Sequence, residues 1–106
     1  MRSSLYMIIM WSMIVKVEGG PPSNLAQITP ICYKDTKAKT QLGIFFEYIG
    51  KYGKTFSPEE ISRIWNGGPN GPNKKSTLSY WRKVKHEMDR ARQSSIRWSL
   101  SHVYKR

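Results

Sequence analysis

Cysteine is all but missing from this chain, and that absence is informative. Cys32 stands alone, so no intrachain disulfide and no multi-cysteine zinc site can form. Histidine is scarce as well: His86 and His102 are too few and too far apart to hold a metal without several carboxylates beside them, and neither a structural metal nor any other cofactor is expected. Acids number 7 against 18 Lys and Arg. No apolar run approaches the twenty or so residues of a membrane span; the longest, Leu5 to Val17, is interrupted by Ser12 and Lys16. No Gly-x-Ser-x-Gly elbow, internal repeat or low-complexity tract occurs, and Cys32 has no histidine in its local segment, which removes the usual nucleophilic arrangements. The Gly-rich stretch around Asn66 to Gly71 lacks the Gly-Lys-Ser ending and the preceding strand of a phosphate-binding loop.

What is present suits one compact domain over residues 1–106. Apolar residues make up 39%, below the roughly 45–50% of an ordinary globular chain, and an aromatic content of 12% compensates with large rings. The formal charge of +11 attracts polyanions. Nucleic acid, an anionic membrane surface and the acidic polymers and peptide carboxylates of bacterial walls all meet that requirement.

Periodicity predicts a mainly helical chain with little or no sheet; only Ala26 to Thr29 hints at a strand. Leu5 to Val17 admits two readings. Arg2 followed by an apolar stretch and then Gly19 fits a secretory signal. Alternatively, Met7, Met10, Trp11 and Ile14 fall at helical spacing, and Ile8, Ile9 and Val15 widen the stripe almost all round, which predicts a helix buried in the middle of the fold. The all-round apolarity favours the buried helix.

Gly19-Gly20-Pro21-Pro22 ends that helix in a loop, and Tyr33 to Thr40 reads as a lysine-rich solvated stretch. Gln41 to Tyr52 follows the helix template through Leu42, Phe45, Phe46 and Ile49, weakened by Gly43 and Gly50. Ser57-Pro58-Glu59-Glu60 is a helix start with a Ser cap, Pro at the first position and an acid to complete a capping box; the helix must stop at Asn66-Gly67-Gly68-Pro69. Ser76 is placed to cap another, with Tyr80, Trp81, Val84 and Met88 on one face and Arg82, Lys83, Lys85 and Arg92 opposite. Past Gln93 the pattern turns irregular, leaving a basic tail over 93–106 in which Ile96, Trp98, Leu100 and Val103 hint at a short final element. Ten of the basic residues lie from Lys74 onward.

Glu18 is the one acid whose position suggests chemistry. It is the first acid of the chain and closes the most apolar segment, where partial desolvation would let its carboxyl keep a proton for general-acid work. A second carboxylate, if used, would come from Asp35: Glu59 and Glu60 are taken up by capping, and Glu47 faces solvent. With a single acid, the acetamido group of a sugar or an intramolecular hydroxyl would do the remaining work.

Three segments in order resemble the goose-type lysozyme and lytic-transglycosylase clan. Val17-Glu18-Gly19 looks like its catalytic Glu-Ser motif, Leu25-Ala26-Gln27-Ile28-Thr29 is similar to Gly-Leu-Met-Gln-Ile, and Ile64-Trp65-Asn66-Gly67-Gly68-Pro69 resembles Ala-Tyr-Asn-x-Gly-Pro. Arg63 to Val84 is also similar to the C-terminal signature of invertebrate-type lysozymes and of phage lysozyme-like domains, where Asn-Gly-Gly-Pro-x-Gly leads into a Thr-Leu-x-Tyr-Trp helix. The resemblance implies a trimmed lysozyme-like domain that cleaves bacterial peptidoglycan as a muramidase or lytic transglycosylase. Glu18 would be the acid, Gln27, Asn66 and Gly67 would border the substrate, and Trp65 and Tyr80 would offer rings to the sugar. A secreted, cell-envelope or virion-associated protein follows from it. Two other readings stand beside it: a cationic polyanion-binding or membrane-active module, and a structural virion or envelope component that holds a protein partner.

Overall fold

A computed structural model describes residues 4–28 and 38–104. Among the described residues four α-helices carry the architecture: α1 (Ser4–Glu18), α2 (Gln41–Tyr52), α3 (Pro58–Gly67) and α4 (Leu78–Tyr104), with short 3-10 turns at Pro22–Asn24, Gly71–Asn73 and Lys75–Thr77. No strand occurs among the described residues. Ala26 to Thr29 does not extend, because Gln27 sits at φ +50°, in the left-handed region that a strand cannot accommodate; Thr29 itself lies outside the described residues.

The helices pack around one apolar cluster. α1 contributes Met7, Met10, Met13 and Ile14; α2 Ile44, Phe45, Tyr48 and Ile49; α3 Ile61 and Ile64; α4 Tyr80 and Val84. Half-buried Trp65 organises the aromatic part, with its ring centroid 5.3 Å from Phe45, 6.0 Å from Tyr48 and 6.4 Å from Trp11, all near edge-on. Such tilted contacts match the positive ring edge to the negative face. The buried face of α2 is rotated from the expected one: Ile44 and Tyr48 are inside, while Leu42 and Phe46 are only partly covered.

Local signals explain the helix boundaries. The Ser57 hydroxyl accepts from the Glu60 amide at 3.1 Å, with Pro58 opening α3. The Glu60 carboxylate reaches back to the amides of Lys54, Thr55 and Phe56, the last at 2.8 Å, so it gathers the whole preceding turn. Thr40 caps α2 by accepting from Gly43. Gly68, at φ +84°, ends α3 and donates its amide to Ile64.

Three expectations are corrected. α1 is not surrounded by protein: Leu5 is 67% exposed and Ile8 and Ile9 more than 40%, because the other described helices pack against only one side of it. Ser76 is exposed and α4 is instead entered through the 3-10 turn Lys75–Thr77, where buried Thr77 donates to the carbonyl of Gly71. Past Gln93 the chain remains helical to Tyr104. The apolar period was lost there because no core lies alongside: every residue from Arg92 to His102 is exposed, and α4 runs on for about 20 Å beyond the body.

Candidate functional site

The end of α1 is built by two glycines with different reasons to be glycine. Gly19, at φ +62°, turns the chain out of the helix while its amide returns to the Val15 carbonyl at 2.9 Å. Gly20 packs so closely on the backbone of Asn24 and Leu25 that a Cβ there would collide with the Asn24 carbonyl. The loop from Gly19 to Ile28 is then tied down by side-chain amides. Gln27 Nε2 donates to the Glu18 carbonyl at 2.6 Å, capping an acceptor the helix end leaves open. Gln41, from α2, accepts from Leu25 N at 2.7 Å and donates to Pro22 O at 3.1 Å. Asn24 exchanges two hydrogen bonds with Ile28, and Trp65 Nε1 donates to Ala26 O at 3.3 Å.

This loop leaves the Glu18 side chain half-buried against α4. Tyr80, 8% exposed, donates its hydroxyl to Glu18 Oε2 at 2.8 Å. Burial raises the Glu18 pKa above its usual 4.5, and the Tyr80 hydrogen bond and the positive charge of Lys83 only partly offset that. Burial and the adjacent carboxylate drive the Tyr80 phenol far above its ordinary range, so it serves as a fixed donor. A carboxyl with a weakened tendency to ionise, held by a fixed O–H donor, can supply a proton.

Near the end of α1 a groove of about 410 Å³ between α1 and α4 is lined by Lys16, Val17, Arg82, Lys83, His86 and Glu87, and Glu18 is not among the lining residues. Its far wall is α4 and not the Asn66 to Gly71 turn. That turn is wound around Arg63, whose guanidinium binds Glu59 at 2.7 Å, Thr77 Oγ1 at 2.8 Å and the Lys74 carbonyl at 3.0 Å. Gly71 is packed on the Arg63 carbonyl, and a Cβ at Gly67 would lie 2.5 Å from Thr77 Cγ2.

Of the residues singled out in the sequence, the fold brings Tyr80 to the carboxylate of Glu18 and Gln27 to its backbone. Trp65 touches the same loop through Ala26 but spends its ring on the core. Asn66 is exposed at the end of α3, and Gly67 serves packing against Thr77. Asp35 lies outside the described residues. Among the described acids, Glu47 binds the Ala38 amide at 2.7 Å, Glu59 pairs with Arg63, Glu60 binds the amides of Lys54, Thr55 and Phe56, and Glu87 pairs with Arg90. Sequence reading missed Lys83, His86 and Glu87. Lys83 and Glu87, at i+3 and i+7 from Tyr80, share its helix face and would have been placed near Glu18 once the Tyr80 contact was known; His86, at i+6, would not.

With this geometry in place, the chain is found to be similar in part to lysozymes. The proteins concerned are a lysozyme of Ostrea edulis, 49% identical over 41 residues, which are 39% of this chain and 30% of that protein, and a lysozyme of Magallana gigas, 51% identical over 37 residues, 35% of this chain and 27% of that protein. The aligned part thus spans less than a third of the relatives' length. No family model and no solved structure matches the chain.

Proposed function

We propose that this chain is a peptidoglycan-cleaving glycosidase in which Glu18 is the general acid. The observation that carries the reading is the Glu18 carboxyl, half-buried at the end of α1, raised in pKa by burial and fixed at 2.8 Å by the Tyr80 hydroxyl. Partial similarity to two lysozymes supports the substrate class. The charge of +11 supports attraction to an anionic wall, and so a secreted or envelope-associated site of action.

In this reading Glu18 protonates the glycosidic oxygen between N-acetylmuramic acid and N-acetylglucosamine as the bond breaks. Tyr80 and Gln27 act on Glu18, the first by orienting its carboxyl and the second by fixing its backbone. No second carboxylate among the described residues hydrogen-bonds with Glu18, and Glu87, which lines the groove, is paired with Arg90 at 3.4 Å; in this reading the cation-like transition state is stabilised by the substrate's own acetamido group or by Asp35. Hydrolysis and the lytic-transglycosylase route share this first proton transfer. They are told apart by whether the products end in a reducing sugar or an anhydro ring.

Clearing of purified wall suspensions by the Glu18→Gln variant tests the proposal. Loss of a general acid costs roughly 10²–10⁴-fold in rate, and the variant keeps its helical circular dichroism because Gln still accepts from Tyr80. Equal clearing by the variant would mean that lysis is not catalytic.

A second reading, a polyanion-binding module, is favoured by one observation: α4 carries Arg92, Arg97 and Trp98 on the stretch 92–102, in which every residue is exposed. It requires an affinity for nucleic acid that falls steeply with salt. Affinity unchanged between 50 and 200 mM salt, roughly the range over which such contacts weaken, would dismiss it.

A further inference from the structure

The end of α4 is a helix without the usual reasons to be one. Every residue from Arg92 to His102 is exposed, so no packing against the body holds the stretch. Its composition does not hold it either. Ser94, Ser95, Ser99 and Ser101 all rank below the strong helix formers, because their hydroxyls compete for backbone partners. Continuing from the packed part of α4 spares the cost of nucleation, yet each added residue brings little stability by itself. The His102 ring stacks on Trp98 at 3.9 Å and approaches the Trp98 carbonyl at 2.8 Å, which braces one flank only.

The side chains indicate what kind of surface would complete such a helix. Ile96 and Leu100 are one turn apart, share a face and are both exposed. Trp98, two positions on from Ile96, projects to the other side. Arg92 and Arg97 fall on the two flanks of the Ile96 and Leu100 face. No acid occurs after Asp89, and among the described residues neither Arg92 nor Arg97 is ion-paired. An aliphatic face between two guanidinium flanks suits a helix lying in a lipid–water interface, where the arginine stems reach up to the headgroups.

We infer that the end of α4 docks on an anionic lipid surface, with Ile96 and Leu100 towards the acyl chains and Arg92 and Arg97 on the lipid phosphates. The charges are complementary, since the chain carries +11 and such a surface is negative. Nucleic acid would use the arginines and leave Ile96 and Leu100 idle. A second copy of the chain would bring the same positive charge to the contact. The helix lies on the bilayer and does not span it, because no described helix is long and apolar enough to cross a membrane. The inference is independent of the chemistry proposed for Glu18, and it gives the exposed stretch a different partner from nucleic acid.

Co-sedimentation of the full chain with vesicles of phosphatidylglycerol and phosphatidylcholine in equal parts tests the inference, beside vesicles of phosphatidylcholine alone. Binding is expected to the anionic vesicles and to weaken with salt, and the amides of 92–102 should gain protection from hydrogen exchange when those vesicles are added. Ile96→Ser combined with Leu100→Ser should weaken binding by about tenfold or more, and so should Arg92→Gln with Arg97→Gln, by about tenfold. Lys39→Gln with Lys51→Gln removes the same charge from exposed positions elsewhere and should weaken it far less. All six residues are exposed, so the melting temperature should hold in every variant. Equal losses from the two charge pairs would mean that net charge alone draws the chain to the vesicles. Undiminished binding in the serine variant would mean that neither aliphatic side chain enters the lipid. Either result overturns the inference, as does a chain that binds duplex DNA and not the anionic vesicles.

Discussion

At the scale of single residues, the Glu18–Tyr80 pair fixes the expected pH behaviour. The Tyr80 hydroxyl stabilises the ionised form of Glu18, so Tyr80→Phe removes a lowering influence and the Glu18 pKa rises further. Because a general acid must be protonated, the alkaline limb of the pH–activity profile should move to higher pH in Tyr80→Phe, and in Lys83→Gln for the same electrostatic reason. A limb unmoved in both variants would show that another group sets it. Stability carries the opposite face of the same fact. Glu18 binds its proton more tightly folded than unfolded, so its contribution is fully present below the usual 4.5 and is lost as pH rises through the higher folded value. Melting temperature should therefore fall over that window in the native chain and not in Glu18→Gln. Glu60 behaves in reverse. Burial alone would raise it, but the amides of Phe56, Lys54 and Thr55 outweigh burial and lower it. Its stabilisation is present above 4.5 and disappears as pH falls through the lower folded value, which Glu60→Gln should abolish.

At the scale of elements, the ends of helices decide more than their middles. Ser57 is a cap with its hydrogen bond made, and Ser57→Ala should cost about 1 kcal/mol in chemical denaturation. The glycine pair after Glu18 separates two kinds of penalty. At Gly19 a side chain meets open space, so Gly19→Ala bears only the left-handed backbone cost of about 1–2 kcal/mol. At Gly20 a side chain runs into the Asn24 carbonyl, so Gly20→Ala must open the loop that holds Gln27 on Glu18. The expected pattern is a larger fall in stability for Gly20→Ala than for Gly19→Ala, with lytic activity falling alongside; equal losses would mean that the loop yields freely. The glycines were visible as punctuation in the sequence. Which of them was sterically required was not, because the crowding atoms come from residues brought near only by the fold.

For the whole molecule, the body and the end of α4 are energetically separate. The chain extends 53 Å along its long axis and about 30 Å along the others, and exposed Ile96, Trp98 and Leu100 contribute nothing to the core. Removing residues 92–106 should therefore shift global stability by no more than about 0.5 kcal/mol, read as an unchanged denaturation midpoint. A large loss would mean that the end of α4 folds back on the body. The similarity to lysozymes covers under half of the chain, and these long-range features lie beyond what short motifs can convey.

Much of the architecture follows from the order of residues alone. Helix periodicity, the Ser-Pro-Glu-Glu start and the Gly-Pro stops locate the described helices, though not where α4 begins or how far it runs, and the apolar run before Glu18 sets that acid at a helix end, because caps and turns depend on neighbours a few positions away. Tertiary packing decided the rest. Tyr80 lies 62 positions from the carboxyl it binds, and the desolvation that raises Glu18 exists only once α4 covers the end of α1. The same packing left one side of α1 bare, since coverage depends on how much surface the other helices can offer and not on how apolar a segment is.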